Sequence, residues 1–218
     1  MSGGEPLIRW EWVANHVGDI GQRLTEHIIL AGLAVLIGFL ISMGLSLLIR
    51  RRTWLYEPVT WVSGVLYVIP SIALFALLIP FTGLSLLTAE IGLVSYTLLI
   101  LIRNIVAGLR DVPAEVRESA LAMGYTPRQL LWRVELPIAI PVIVAGLRTA
   151  SVSTIGLTTV TALIGQGGFG FFILDGLLRF FTTTLIVGAA GSVGLAIFAD
   201  GLLVLCQRWA TPWARASQ

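Results

Sequence analysis

Five apolar stretches, at 27–49, 58–80, 86–106, 138–164 and 183–207, constrain this chain more than any other feature. About 20 residues at 1.5 Å per residue cross the hydrocarbon core of a bilayer, so each stretch is long enough to span as a helix. In a chain of 218 residues, 56% hydrophobic and only 12% charged, little remains outside them. The expected fold is an all-α membrane protein with about five transmembrane helices. The piece at 171–181 is too short to cross and reads as a surface or re-entrant helix.

The arginines orient the set. Lys and Arg together number 14, and every one of them is Arg. Arg50 to Arg52 end the first stretch, Arg103, Arg110, Arg117, Arg128 and Arg133 flank the interval after the third, and Arg208 and Arg215 follow the fifth. With five crossings all three groups fall on one side, which the positive-inside rule makes cytoplasmic. The N-terminus is then outside and the C-terminus inside. Residues 1–26 form an extracytoplasmic segment, 27–209 the membrane domain and 210–218 a cytoplasmic tail. Trp54, Trp61, Trp209 and Trp213 sit near the inner boundary, as interfacial aromatics do. Topology accounts for the basic balance, so membrane lipid is the expected contact and nucleic acid is not. The absence of Lys excludes a G-x-x-x-x-G-K-[ST] phosphate loop, so any ATP and magnesium must be handled by another subunit. His16 and His27 have no further ligand at metal-binding spacing, so no metal site is expected.

The cytoplasmic interval 111–137 carries its own helix signals. Pro113 stands at a helix start with Asp111 and Glu115 near the positive end of the dipole. Gly124 supplies a left-handed stop. Thr126, Pro127 and Gln129 then spell an N-cap, a first-turn proline and the closing residue of a capping box. Leu136-Pro137 is expected to end this second helix and hand over to the fourth span. Two short helices thus meet at the corner Gly124-Tyr125-Thr126-Pro127.

Glu118-Ser119-Ala120 and Gly124, followed after nine residues by Val134-Glu135-Leu136-Pro137, resemble the EAA loop of binding-protein-dependent ABC importers, E-A-A-x3-G-x9-I-x-L-P. Ser119 and Val134 are mild departures from that pattern. Ile69-Pro70-Ser71, the run from Leu136 to Ala150 and Gly165-Gln-Gly-Gly-Phe-Gly170 are similar to the osmoprotectant branch, which handles glycine betaine, carnitine and choline. The resemblance implies a type I importer permease in a bacterial or archaeal cell membrane. Its partners would be a second permease copy or sister permease, a cytoplasmic ATPase subunit and an extracytoplasmic solute-binding protein. The hairpin would be the coupling helix, with Glu118, Ser119, Ala120, Gly124, Tyr125, Thr126, Leu136 and Pro137 at the ATPase. An importer of the same architecture for an amino acid is the alternative within the class.

Two charges lie deep in the apolar stretches. Counting from the cytoplasmic ends, Arg148 and Asp200 fall at similar depth, roughly 13–16 Å in, and pairing is the economical outcome. Glu90 near the outer end of the third stretch is expected to snorkel or to line an outer vestibule. Asp175 and Arg179 are four apart on one short helix and suited to pair. Gly165, Gly167 and Gly168 follow no strand, so they make a tight turn at the pathway and not a dinucleotide loop. Ile69, Pro70 and Ser71 are further candidates for pathway lining, since Pro frees backbone groups where a cavity can satisfy them. No HExxH, nucleophile elbow or catalytic carboxylate pair is present, so no enzyme activity is expected of this chain. A channel or scaffold would not need the capped cytoplasmic double helix.

Overall fold

The computed structural model describes residues 6–211, and all their regular structure is helical. After a short α1 (Trp10–Asn15) come α2 (Val17–Arg51), α3 (Tyr56–Val68), α4 (Ser71–Thr82), α5 (Leu86–Arg110), α6 (Ala114–Ala122) and α7 (Pro127–Leu130). A π-helical turn (Leu131–Glu135) leads into α8 (Leu136–Thr158), a 3-10 stretch (Thr159–Ile164), α9 (Gly170–Arg179) and α10 (Thr182–Ala210). Among the described residues, four helices are long and apolar enough to cross a membrane, and the α3–α4 pair makes a fifth if it counts as one broken span.

The helices depart from the sequence boundaries at three places. The first stretch begins at Val17, ten residues before His27, so the division at 26/27 falls inside α2. Asp19 in its first turn and Arg50 and Arg51 in its last complement the helix dipole, and nothing between them stops the helix. The second stretch is interrupted at Ile69-Pro70, where Pro70 is extended (φ −55°, ψ 134°) and starts α4. Leu136-Pro137 does not end a helix. Leu136 N–H donates to Leu131 O across the π turn, and the chain continues through Pro137 as α8. Trp213 and Arg215 lie outside the described residues.

The chain divides into two compact units, one of residues 1–35, 69–94 and 151–198, the other of 36–68, 95–150 and 199–218. Leu30, Ala34, Phe75, Ala89, Leu93 and Ile164 form the core of the first. Leu101, Ile105, Leu109, Ala139, Ile143 and Ala150 form that of the second, with Ile49, Ile102 and Val106 as a smaller cluster. Helix α2 shows how such cores are built without a hydrophobic driving force between helices. Its buried seam is largely small or polar, with Ala31 and Ala34 in the first unit and Gly38, Ser42 and Ser46 in the second. Ile28, Ile29, Leu33, Leu36, Ile37 and Leu40 are exposed. Small residues let backbones approach while large aliphatic ones face lipid. At Gly38 a Cβ would stand 1.9 Å from Thr97 Oγ1, so any larger residue there would force Thr97 to shift.

Candidate functional site

The hairpin is held by local hydrogen bonds. Helix α6 has Pro113 as its N-cap and closes with a Schellman arrangement, Tyr125 N–H donating to Ala120 O at 3.1 Å and Gly124 N–H to Leu121 O at 2.9 Å. Gly124 stands at φ +83°, in the left-handed region where a side chain costs about 1 kcal/mol or more. Two residues later Thr126 caps α7. Gln129 N–H donates to Thr126 Oγ1 at 3.3 Å, and Thr126 N–H donates to Gln129 Oε1 at 2.8 Å. This reciprocal box, with Pro127 at the first position, fixes the corner from both sides. Glu118, Ser119, Gly124 and Thr126 are exposed, Tyr125 is half-buried and Ala120 is buried. Leu121 and Met123 are exposed beside them, an apolar tip on a polar hairpin. A groove of about 860 Å³ lies between Thr126, Arg128 and Trp132 on one side and Leu47, Leu48 and Arg51 of α2 on the other.

One buried carboxylate ties this hairpin to its unit. Glu135 in the π turn has a side chain only 4% exposed, with Arg50 Nε at 2.6 Å from Oε2 and Arg117 Nε at 3.2 Å from Oε1. Arg117 also donates through Nη2 to the Leu109 carbonyl. A single carboxylate thereby joins the end of α2, the hairpin helix α6 and the π turn that leads into α8. The neighbouring guanidinium of Arg110 lies over the Tyr56 ring, 4.4 Å from its centroid.

Farther along α8, Arg148 and Asp200 come together as a bidentate pair. Arg148 Nε donates to Asp200 Oδ1 at 2.7 Å and Nη2 to Oδ2 at 2.9 Å. Each side chain is about one-third exposed. Arg179 and Asp175 also pair, at 2.7 Å.

In the first unit the glycine run closes against α2. Gly168 N–H donates to Glu26 Oε2 at 3.1 Å, and Arg23 and Gln22 hold that carboxylate at 2.8 Å each. Phe169 N–H donates to His27 Nδ1 at 3.1 Å, while His27 Nε2 donates to Ile155 O at 2.9 Å. Those partners set the tautomer with the proton on Nε2. Gly167 leaves the room that Glu26 takes, since a Cβ there would meet Oε2 at 1.9 Å, and Gly168 is left-handed at φ +82°. Gly165 turns the end of the 3-10 stretch. Ile69, Pro70 and Ser71 form the break before α4, in the same unit. Glu90 does not snorkel: it is 8% exposed, and neither carboxylate oxygen has a hydrogen-bond partner.

Residues 27–211 match the family of binding-protein-dependent transport system inner membrane components. The chain belongs to that family. It is 37% identical over 206 residues to the osmoprotectant import permease protein OsmW of Salmonella typhimurium, covering 92% of this chain and 96% of that one. It is 32% identical over 202 residues to the choline transport system permease protein OpuBB of Bacillus subtilis, covering 93% of each. Among solved structures, the inward-facing MetNI methionine ABC transporter superposes with a TM-score of 0.77 at 23% identity, over 86% of this chain and 94% of its counterpart. An amino acid ABC transporter superposes at 0.75 and 18% identity, over 92% and 98%. Both share the fold of an ABC importer permease.

Two features of this permease escaped the sequence. Glu135 occupies the unspecified position of the motif, and its partner Arg50 is 85 residues away. An acidic residue in an otherwise apolar Val-x-Leu-Pro context was the available signal. Glu26 and His27 reach the glycine loop across 142 residues. Their placement where the first apolar stretch begins was the only hint.

Proposed function

We propose that this permease subunit carries osmoprotectants such as glycine betaine, carnitine or choline into the cell, driven by a separate ATPase. The observation that supports the solute class is similarity at 31–38% identity, over three-quarters or more of the chain, to permeases named for these compounds. The amino acid alternative rests on structures below 25% identity, a likeness of fold alone.

In this reading the hairpin 111–137 is the coupling element. The ATPase, with its ATP and magnesium, would seat Glu118 to Thr126 and the exposed Leu121 and Met123. A rigid corner continuous with α8 can pass rocking of the ATPase pair into the long helices, whereas a flexible loop would absorb it. The arginine-rich ends face the cytoplasm and the N-terminus lies outside, where the solute-binding protein delivers its cargo. A second permease copy or a sister permease completes the pathway. The Arg148–Asp200 pair serves structure, neutralising two charges inside the bundle, and Ile69, Pro70, Ser71 and the glycine loop border the pathway.

Copurification tests the coupling role. An ATPase subunit should accompany the full chain and be lost when residues 113–135 are deleted, while the chain still inserts. Retention of the ATPase by the deleted chain would refute the assignment.

A further inference from the structure

The arginine-rich end of the second unit holds a half-open cavity of about 350 Å³. Its polar lining is Ser46, Arg50, Thr53, Arg110, Arg117 and Glu135, so three guanidiniums face one carboxylate. Arg50 and Arg117 both engage Glu135, which screens that negative charge, and Arg110 rests on the Tyr56 ring and makes no ion pair among the described residues. The lining therefore holds more positive charge than the protein itself neutralises.

One donor in this cavity is also unused. Ser46 is fully buried, and its Oγ has no hydrogen-bond partner, although a helical serine ordinarily bonds back to its own preceding turn. Arg117 Nε, by contrast, is taken up by its ion pair with Glu135, 3.2 Å from Oε1. A buried hydroxyl without a partner, beside guanidiniums that outnumber the one carboxylate, calls for a ligand rich in acceptor oxygens.

We propose that this cavity binds a phosphate-bearing anion, with Arg110, Arg117 and Ser46 as its donors. The same chemistry is offered by an anionic phospholipid headgroup and by free phosphate. Position favours the lipid. Thr53 of the lining is followed by Trp54, 67% exposed, and Trp61 nearby in sequence is 71% exposed, as aromatic residues at headgroup level are. Basic pockets between transmembrane helices at a cytoplasmic boundary are recurrent headgroup sites. Because Arg50 ends α2, Arg110 ends α5 and Arg117 lies on α6, an anion held here braces the coupling segment against two long helices. The inference stands apart from which solute is carried.

The test uses the full chain purified from mixed phosphatidylglycerol and phosphatidylcholine vesicles, with retained lipid measured by native mass spectrometry. In parallel, thermal unfolding is followed with millimolar inorganic phosphate. Phosphatidylglycerol should be retained preferentially, about tenfold less by Arg110→Gln and several-fold less by Ser46→Ala, as expected for losing a charged and a neutral donor. Arg52→Gln, at the same helix end but outside the lining, should match the wild type. Stabilisation by inorganic phosphate, lost in both cavity variants without selective lipid retention, would identify free phosphate as the source. Equal lipid retention and equal phosphate response in wild type and Ser46→Ala overturn the proposal, even should Arg110→Gln fail to fold. An equal loss in Arg52→Gln overturns it too, by showing only bulk charge attraction.

Discussion

Replacing Glu135 with Gln removes the one negative charge shared by Arg50 and Arg117 while keeping the side-chain volume. Glu135 is 4% exposed, and once it is neutral the two guanidiniums it held are left without their shared counter-charge. Breaking a buried ion pair from one side costs about 3–5 kcal/mol. The arginine side chains are 25% and 34% exposed and rehydrate in part, which brings the expected cost to about 2–3 kcal/mol. For a domain near this size that is a fall in melting temperature of about 5–10 °C. The assay is thermal unfolding of the purified chain by intrinsic fluorescence, with Arg117→Gln and the double variant completing a cycle. Arg117→Gln should cost clearly less in the Glu135→Gln background than alone, because its partner is already gone. A Glu135→Gln variant melting within a degree of wild type, or strictly additive effects, would refute the view that this carboxylate holds the hairpin in place.

Three further outcomes follow from the geometry. Gly124→Leu forces a side chain into φ +83° at the hairpin corner; solute uptake should fall at least tenfold while membrane insertion, read by protease protection, stays normal. Gly168→Ala combines a left-handed φ with a Cβ 2.9 Å from His27 Nδ1, so destabilisation of about 1–3 kcal/mol is expected in a denaturation series, and an unchanged midpoint would mean that the loop is not locked on α2. Asp200→Ala should lower stability more than the Arg148→Met/Asp200→Ala double variant does, since the single change strands a charge; equal stability of all three would leave the pair without a structural role.

How far the sequence carries depends on the range of the interaction. The caps of the hairpin were legible because Thr126, Pro127 and Gln129 act within one turn, and Gly124 encodes its own backbone angle. The Arg148–Asp200 match was legible because helical rise is fixed, so depth can be counted along each span. The break at Ile69-Pro70 and the helix through Leu136-Pro137 were not. Proline forbids one hydrogen bond, and the surroundings decide whether the chain stops, breaks or inserts a π turn. Of the two expectations for Glu90, snorkelling fails because that outcome depends on which face of α5 meets its neighbours, and the neighbours are set by tertiary packing. The Glu135 clamp and the Glu26–His27 lock join distant segments, and a single sequence carries no mark of such pairing.

The most direct test is uptake of labelled glycine betaine, carnitine and choline by proteoliposomes holding this chain with its ATPase subunit and a solute-binding protein. Uptake of at least one of the three that requires both ATP and the binding protein is the predicted result. Uptake that proceeds without ATP, or transport of an amino acid with none of the three, would contradict the account.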